Sequence, residues 1–193
     1  MKNDVKSILM VGVGGQGIIT SSDILTMAAI YSGYDAKKNE IHGMSQRGGS
    51  VFSHIRFGKK VYSSVIPLGQ ADILMSLEQM ETLRWIKYAN ALSTVITTKI
   101  QIKPPMVDDY PLGIEDEIKR LCKNLIFIDT EALKNKIENI KYINVALLGI
   151  MSNYISFADD AFKKAIKDKV PEQTFDANWN AFIVGKNYNM EEM

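Results

Sequence analysis

The stretch Ser7-Ile8-Leu9-Met10-Val11-Gly12-Val13-Gly14-Gly15-Gln16-Gly17-Ile18 decides the fold of this 193-residue chain. Its first half, Ser7 to Val13, is continuously apolar, the pattern of a strand buried on both faces of a parallel sheet. Gly12, Gly14 and Gly17 then follow at the spacing G-x-G-x-x-G. Beyond them Leu25, Ala28, Ala29 and Ser32 recur at helical intervals, and Gly33 is placed to stop the helix. Strand, glycine loop and helix form the context in which a dinucleotide fingerprint brings phosphate to a helix N-terminus. Gly12, Gly14, Gly15, Gln16 and Gly17 are therefore candidates for anion binding, or for a turn that lets helix and sheet pack closely. Two features weaken the nicotinamide reading. An acid is expected about 20 residues on, at the tip of the second strand. Asp35 comes too early and Glu40 somewhat late, with Lys37 and Lys38 between them. In addition, the second strand leads into a loop and a hairpin rather than another helix.

The loop that follows that second strand (Asp35 to Ile41) is His42-Gly43-Met44-Ser45-Gln46-Arg47-Gly48-Gly49-Ser50. It holds three glycines, two hydroxyls, an amide and a guanidinium in nine residues. Glycine lets backbone approach a ligand or another chain closely, and the guanidinium of Arg47 offers a rigid fork of donors to carboxylate or phosphate. Loops on a rigid scaffold are where function concentrates. The plainer alternative is a long connection in which Arg47 caps a helix or pairs with a surface carboxylate.

Farther out, Ser50 to Phe57 and Val61 to Ile66 both alternate in polarity around Gly58-Lys59-Lys60, which predicts a β-hairpin over about 50–66. His54 reads as a partly buried strand residue, while His42 adjoins the glycine-rich loop. Ala71 to Leu77, Ser93 to Thr98 and Leu125 to Asp129 read as further strands. Glu78 to Tyr88, Ile114 to Lys123 and a segment opening at Thr130 read as helices, the first with Met80, Leu83, Ile86 and Lys87 near helical spacing and Glu78 and Glu81 favourably placed in its first turn. Val145 to Met151 is apolar nearly all round, which suits a helix buried in a core or an interface. Asp159 to Lys169 and Thr174 to Gly185 complete a helical C-terminal part, and Asn187 to Met193 reads as a frayed tail. The expected fold is α/β: a Rossmann-like, mostly parallel sheet flanked by helices, in one domain spanning 1–193.

Composition narrows the function classes. The chain is 46% hydrophobic with a formal net charge of +1, enough for a core without staples and without a field for nucleic acid or membrane. The single cysteine, Cys122, lies in an apparently amphipathic helix and reads as a small core residue. One thiol can form no internal disulfide and cannot hold an iron–sulfur cluster, which typically needs four. With two histidines and no tight ligand spacing, no metal site is expected. No signal peptide and no bilayer-spanning segment are read, so the expected location is cytoplasmic.

Three stretches together resemble a known family: Gly12 to Ile18, then Glu40-Ile41-His42-Gly43-Met44-Ser45-Gln46-Arg47-Gly48-Gly49-Ser50-Val51, then the closing Asn178 to Gly185 helix with its small residues. The pattern resembles the gamma-type domain of 2-oxoacid:ferredoxin oxidoreductases, and in detail the small (beta) subunits of the indolepyruvate-type enzymes. The resemblance extends over essentially the whole chain. It implies a subunit of a heteromeric enzyme that decarboxylates an aryl 2-oxoacid, passes electrons to ferredoxin and leaves the acyl group on coenzyme A. It further implies that thiamine diphosphate and iron–sulfur clusters are carried by a large (alpha) subunit. This chain would then bind no cofactor alone, be inactive alone, and be able to pair with itself when isolated. Ser45, Gln46, Arg47, Gly48 and Gly49, with His42 and Glu40, would meet the large subunit and shape the substrate or coenzyme A channel. The competing readings are a free-standing NAD(P)- or flavin-dependent oxidoreductase and a non-enzymatic nucleotide-binding module.

Overall fold

The computed structural model of the chain describes residues 5–42, 48–103 and 108–188. Six strands form one sheet in the order β2-β3-β1-β4-β5-β6. They are β1 (Lys6–Val13), β2 (Asp35–His42), β3 (Ser50–Gly58), β4 (Ile73–Ser76), β5 (Thr94–Thr98) and β6 (Asn124–Ile128). The pairs β1/β4, β4/β5 and β5/β6 are parallel, whereas β2/β3 and β1/β3 are antiparallel. The sheet is thus mostly parallel, as expected, with an antiparallel limb at one edge.

That limb follows from chain length. Only residues 43–49 separate β2 from β3, and a parallel crossover needs a dozen or more. The two strands therefore pair as a hairpin, and β3 inserts between β2 and β1. The expected hairpin over about 50–66 is corrected accordingly: the paired strands are 35–42 and 50–58, and Val61 to Ile66 forms no strand. Both edges of β3 are already occupied, so this segment finds no ladder and crosses one face of the sheet instead. Side chains hold it there. Ile66 N–H donates to His54 Nδ1 at 3.0 Å, Arg56 donates to the carbonyls of Ser63 and Val65, and Val61 N–H donates to Asp35 at 2.9 Å. His54 is buried, and burial holds its imidazole below the ordinary value of 6.5.

The alternation of β1 divides the core. Ile8 and Met10 join the larger cluster, whereas Leu9 and Val11 join the smaller one on the opposite face. Helices α1 (Ile18–Tyr31), α5 (Ile143–Ser152), α6 (Asp159–Lys169) and α7 (Phe175–Lys186) form the layer over the larger cluster, joined by the short α4 (Thr130–Lys134). Helix α2 (Gln79–Trp85), continued by a 3-10 turn at Ile86–Tyr88, packs with α3 (Ile114–Leu121). Every residue of α5 is buried, so its apolar surface belongs to the chain's own core. Cys122 stands just beyond α3 rather than inside it, half-buried. The predicted stripe of α2 also differs. Its buried residues are Gln79, Glu81 and Thr82, seated by hydrogen bonds, while Trp85 and Ile86 supply its apolar contact with the smaller cluster. Among the described residues no helix is long and apolar enough to cross a membrane.

Candidate functional site

In a sheet of this kind ligands bind outside the carboxyl ends of the strands, where the strand order reverses. Here that point lies between β1 and β4, and the glycine loop sits on it. Gly15 and Gly17 have φ of 98° and 79°, a region that side chains rarely tolerate. A Cβ on Gly17 would lie 2.5 Å from Asn144 Nδ2, and one on Gly12 would lie 2.8 Å from Ile18 Cδ1 and 2.9 Å from Gln16 Oε1. These two glycines therefore serve close packing. Gln16 acts as a staple: Val13 N–H donates to its Oε1 at 2.8 Å, while its Nε2 donates to the Leu77 carbonyl at the end of β4 at 2.9 Å. Gln16 N–H in turn donates to the Val13 carbonyl at 3.1 Å. The amides of Val13, Gly14 and Gln16 are thus engaged within the protein.

The register of β1 against β3 pairs Val13 with Ser50. It brings the second glycine-rich segment beside the first, and Gly14 N–H donates to the Gly49 carbonyl at 2.8 Å. Gly48 adopts φ 79°. Residues that sequence reasoning set far apart, Gly14 and Gly49, thus meet at one end of the sheet. Ser45, Gln46 and Arg47 lie outside the described residues, as does the side chain of His42, whose backbone closes β2 opposite Val51. Glu40 pairs with Lys38 Nζ at 2.6 Å, and Lys38 also bonds Asp23 on α1. Desolvation opposes the Lys38 charge, yet its two carboxylate partners raise its titration above the ordinary lysine range.

The acid of a nicotinamide site is not where that chemistry needs it. Asp35 opens β2 at the end remote from the loop, paired with Gly58. Glu40 lies on β2, which β3 separates from β1, a distance of about 10 Å at ordinary strand spacing.

Sequence reasoning places Glu78 and Glu81 only as acids in a helical first turn, whereas the structure buries both at the start of α2. Glu78, 1% exposed, caps that helix by accepting from Glu81 N–H at 2.9 Å. It also accepts from the Tyr110 hydroxyl at 2.6 Å and from Ile102 N–H at 3.2 Å. Burial, followed by the hydrogen bond to Glu78, pushes the Tyr110 phenol above its ordinary range. Glu81, 5% exposed, accepts from the Ser50 hydroxyl, from Trp85 Nε1 at 3.1 Å and from Arg84 Nε at 3.0 Å. The only available signal for either was an acid placed in a helical first turn, which ordinarily reads as dipole compensation.

Beside the glycine loop opens a cavity of about 740 Å³, whose lining includes Gly15, Thr20, Lys141, Asn144, Lys169 and Asn178. Its volume is within the range of small-molecule sites. The donor set for redox metals is different. Cys122 is the chain's single thiol, and burial pushes it up to about 11, so an iron–sulfur cluster does not fit this chain. Among the described residues no three His, Cys, Asp or Glu side chains gather to hold an ion.

The sequence matches the family model described as pyruvate ferredoxin/flavodoxin oxidoreductase over residues 7–188. It is 37% identical over 190 residues to the indolepyruvate oxidoreductase subunit IorB of Thermococcus kodakarensis, covering 93% of each chain. The fold is similar to that of the gamma subunit of a keto/oxoacid ferredoxin oxidoreductase from Geobacter sulfurreducens, with a TM-score of 0.68 at 24% identity, covering 93% of this chain and 95% of that one. It is also similar to part of a 2-oxoglutarate:ferredoxin oxidoreductase from Magnetococcus marinus, solved with 2-oxoglutarate, coenzyme A and succinyl-CoA bound. There the TM-score is 0.73 at 18% identity, covering 96% of this chain and 31% of that one.

Proposed function

Since the chain belongs to the pyruvate ferredoxin/flavodoxin oxidoreductase family, we propose that it is the small subunit of a thiamine diphosphate-dependent 2-oxoacid:ferredoxin oxidoreductase acting on indolepyruvate or another aryl pyruvate. A large subunit carries the thiamine diphosphate and the iron–sulfur clusters, which supply decarboxylation and electron transfer to ferredoxin. The small subunit holds neither group and is inactive alone. Its part is to build one wall of the channel through which the 2-oxoacid or coenzyme A reaches the partner's chemistry.

The observation that carries this reading is the meeting of Gly14 and Gly49 at the carboxyl end of β1. It supports a single surface made of both glycine-rich segments. On that surface Ser45, Gln46, Arg47, Gly48 and Gly49, with His42 and Glu40, contact the large subunit or the ligand. Arg47 meets an anionic group: a substrate carboxylate, a phosphate or a partner carboxylate. The adjoining cavity, lined in part by Lys141 and Lys169, is large enough for part of a coenzyme A molecule.

The test is co-expression with a large thiamine- and cysteine-cluster-bearing chain, followed by an assay of 2-oxoacid-dependent dye reduction. Reduction that requires both chains and an aryl pyruvate is expected. A purified complex that reduces no dye with any 2-oxoacid, or a lone chain that binds NADH or FAD, would overturn the proposal.

A further inference from the structure

We infer that Glu81 is a positioning residue of this site, acting through Ser50 to hold the limb by which the glycine-rich loop enters β3; this rests on the proposed role of that loop. Ser50 is the first residue of β3, immediately after Gly48 and Gly49. On one side the limb is tied to β1 by the Gly14–Gly49 bond. On the other it is tied to α2 by the Ser50 hydroxyl, which donates to Glu81 Oε2. Glu81 is itself held in place: Trp85 Nε1 donates to the same oxygen, and Arg84 Nε donates to the other. Trp85 lies against Phe52 of β3 with ring centroids 4.0 Å apart, which fixes α2 against the strand.

A buried carboxylate with three directed donors is an expensive way to fix a helix, since an apolar residue of similar size would pack there without desolvating a charge. Its geometric yield is what sets it apart. The β4–α2 junction grips the glycine loop through the Leu77 carbonyl and Gln16, and one helical turn later it grips the second loop through Glu81. One short junction therefore fixes the spacing between the two segments that form the proposed surface.

The experiment compares Glu81→Ala, Glu81→Gln and Ser50→Ala with Thr82→Val in the reconstituted two-chain complex. Thr82 lies on the same helix and is equally buried, but its hydroxyl bonds Glu78 O and Thr97, so it serves as a control for simple helix damage. Glu81→Ala and Ser50→Ala should raise KM for coenzyme A or the 2-oxoacid by about tenfold or more. Glu81→Gln, which keeps an acceptor for Ser50, should recover most of the loss, and Thr82→Val should not shift KM. Amide hydrogen exchange over residues 48–51 of the full chain should accelerate in Glu81→Ala and not in Thr82→Val. Equal effects of Thr82→Val, or unchanged exchange and KM in Glu81→Ala, would overturn the inference. An inactive wild-type complex would instead sink the proposed function, and the exchange measurement would still decide whether Glu81 holds the limb.

Discussion

Gln16 and Gly17 line the cavity beside the glycine loop and are at the same time tied into the scaffold. Gln16 spends both ends of its amide on Val13 and Leu77, and Gly17 combines φ 79° with Asn144 in the space a Cβ would need. Gln16→Ala leaves the Val13 N–H and the Leu77 carbonyl without these partners, and should cost about 2 kcal/mol in a urea melt. A variant as stable as wild type would show that the staple is dispensable. His54 makes a second prediction. Its folded pKa is depressed by burial, so the unfolded chain takes up a proton near pH 6.5 that the folded chain refuses until the pH is lower. The stability this contributes is complete above about pH 6.5 and is lost as pH falls below it. His54→Gln removes the titration, so the decline in melting temperature between about pH 6.5 and 5 should flatten. An unchanged decline would assign it to other groups.

Helices α5 and α7 pack backbone to backbone at two glycines. A Cβ on Gly149 would meet the Phe182 carbonyl oxygen at 2.1 Å, and one on Gly185 would meet the Ala146 carbonyl oxygen at 1.8 Å. Backbone cannot yield as a flexible side chain can, so Gly149→Ala or Gly185→Ala should cost about 3 kcal/mol or more, read as a lowered denaturation midpoint. A midpoint unchanged in both would mean that the helices can separate without cost. The all-round apolar pattern of 145–151 announced a buried helix but not what buries it, since a core and an interface ask for the same residues. Helix α2 was harder still. Met80 and Leu83 suggested its inner face, yet Gln79, Glu81 and Thr82 are the buried ones. Apolar periodicity does not register the hydrogen bonds that seat such a helix, and three of the partners of Glu78 and Glu81, Ile102, Ser50 and Tyr110, lie 24 to 32 residues away.

On the scale of the whole molecule, the sheet places both glycine-rich segments at the same end, and the function proposed for the chain rests on what meets them there. Arg47→Ala should leave the isolated chain folded, while turnover or assembly with the large subunit falls by about tenfold or more. Normal turnover together with normal co-purification would reject a contact role for that guanidinium.

From the chain alone came the succession of strands and helices apart from 61–66, the glycine turn after β1 and the family resemblance. These rest on neighbours in sequence, where periodicity, glycine and short connections act directly. The short link at 43–49 leaves no room for a parallel crossover, yet the hairpin expected at about 50–66 is displaced to β2 and β3. Tertiary structure decided the rest: which strand lies beside β3, that 61–66 crosses a face instead of extending the sheet, and that Glu81 grips Ser50. Each of these is a competition for a partner distant in sequence. It is settled only when the sheet has closed and the hydrogen-bonding edges of β3 are already taken.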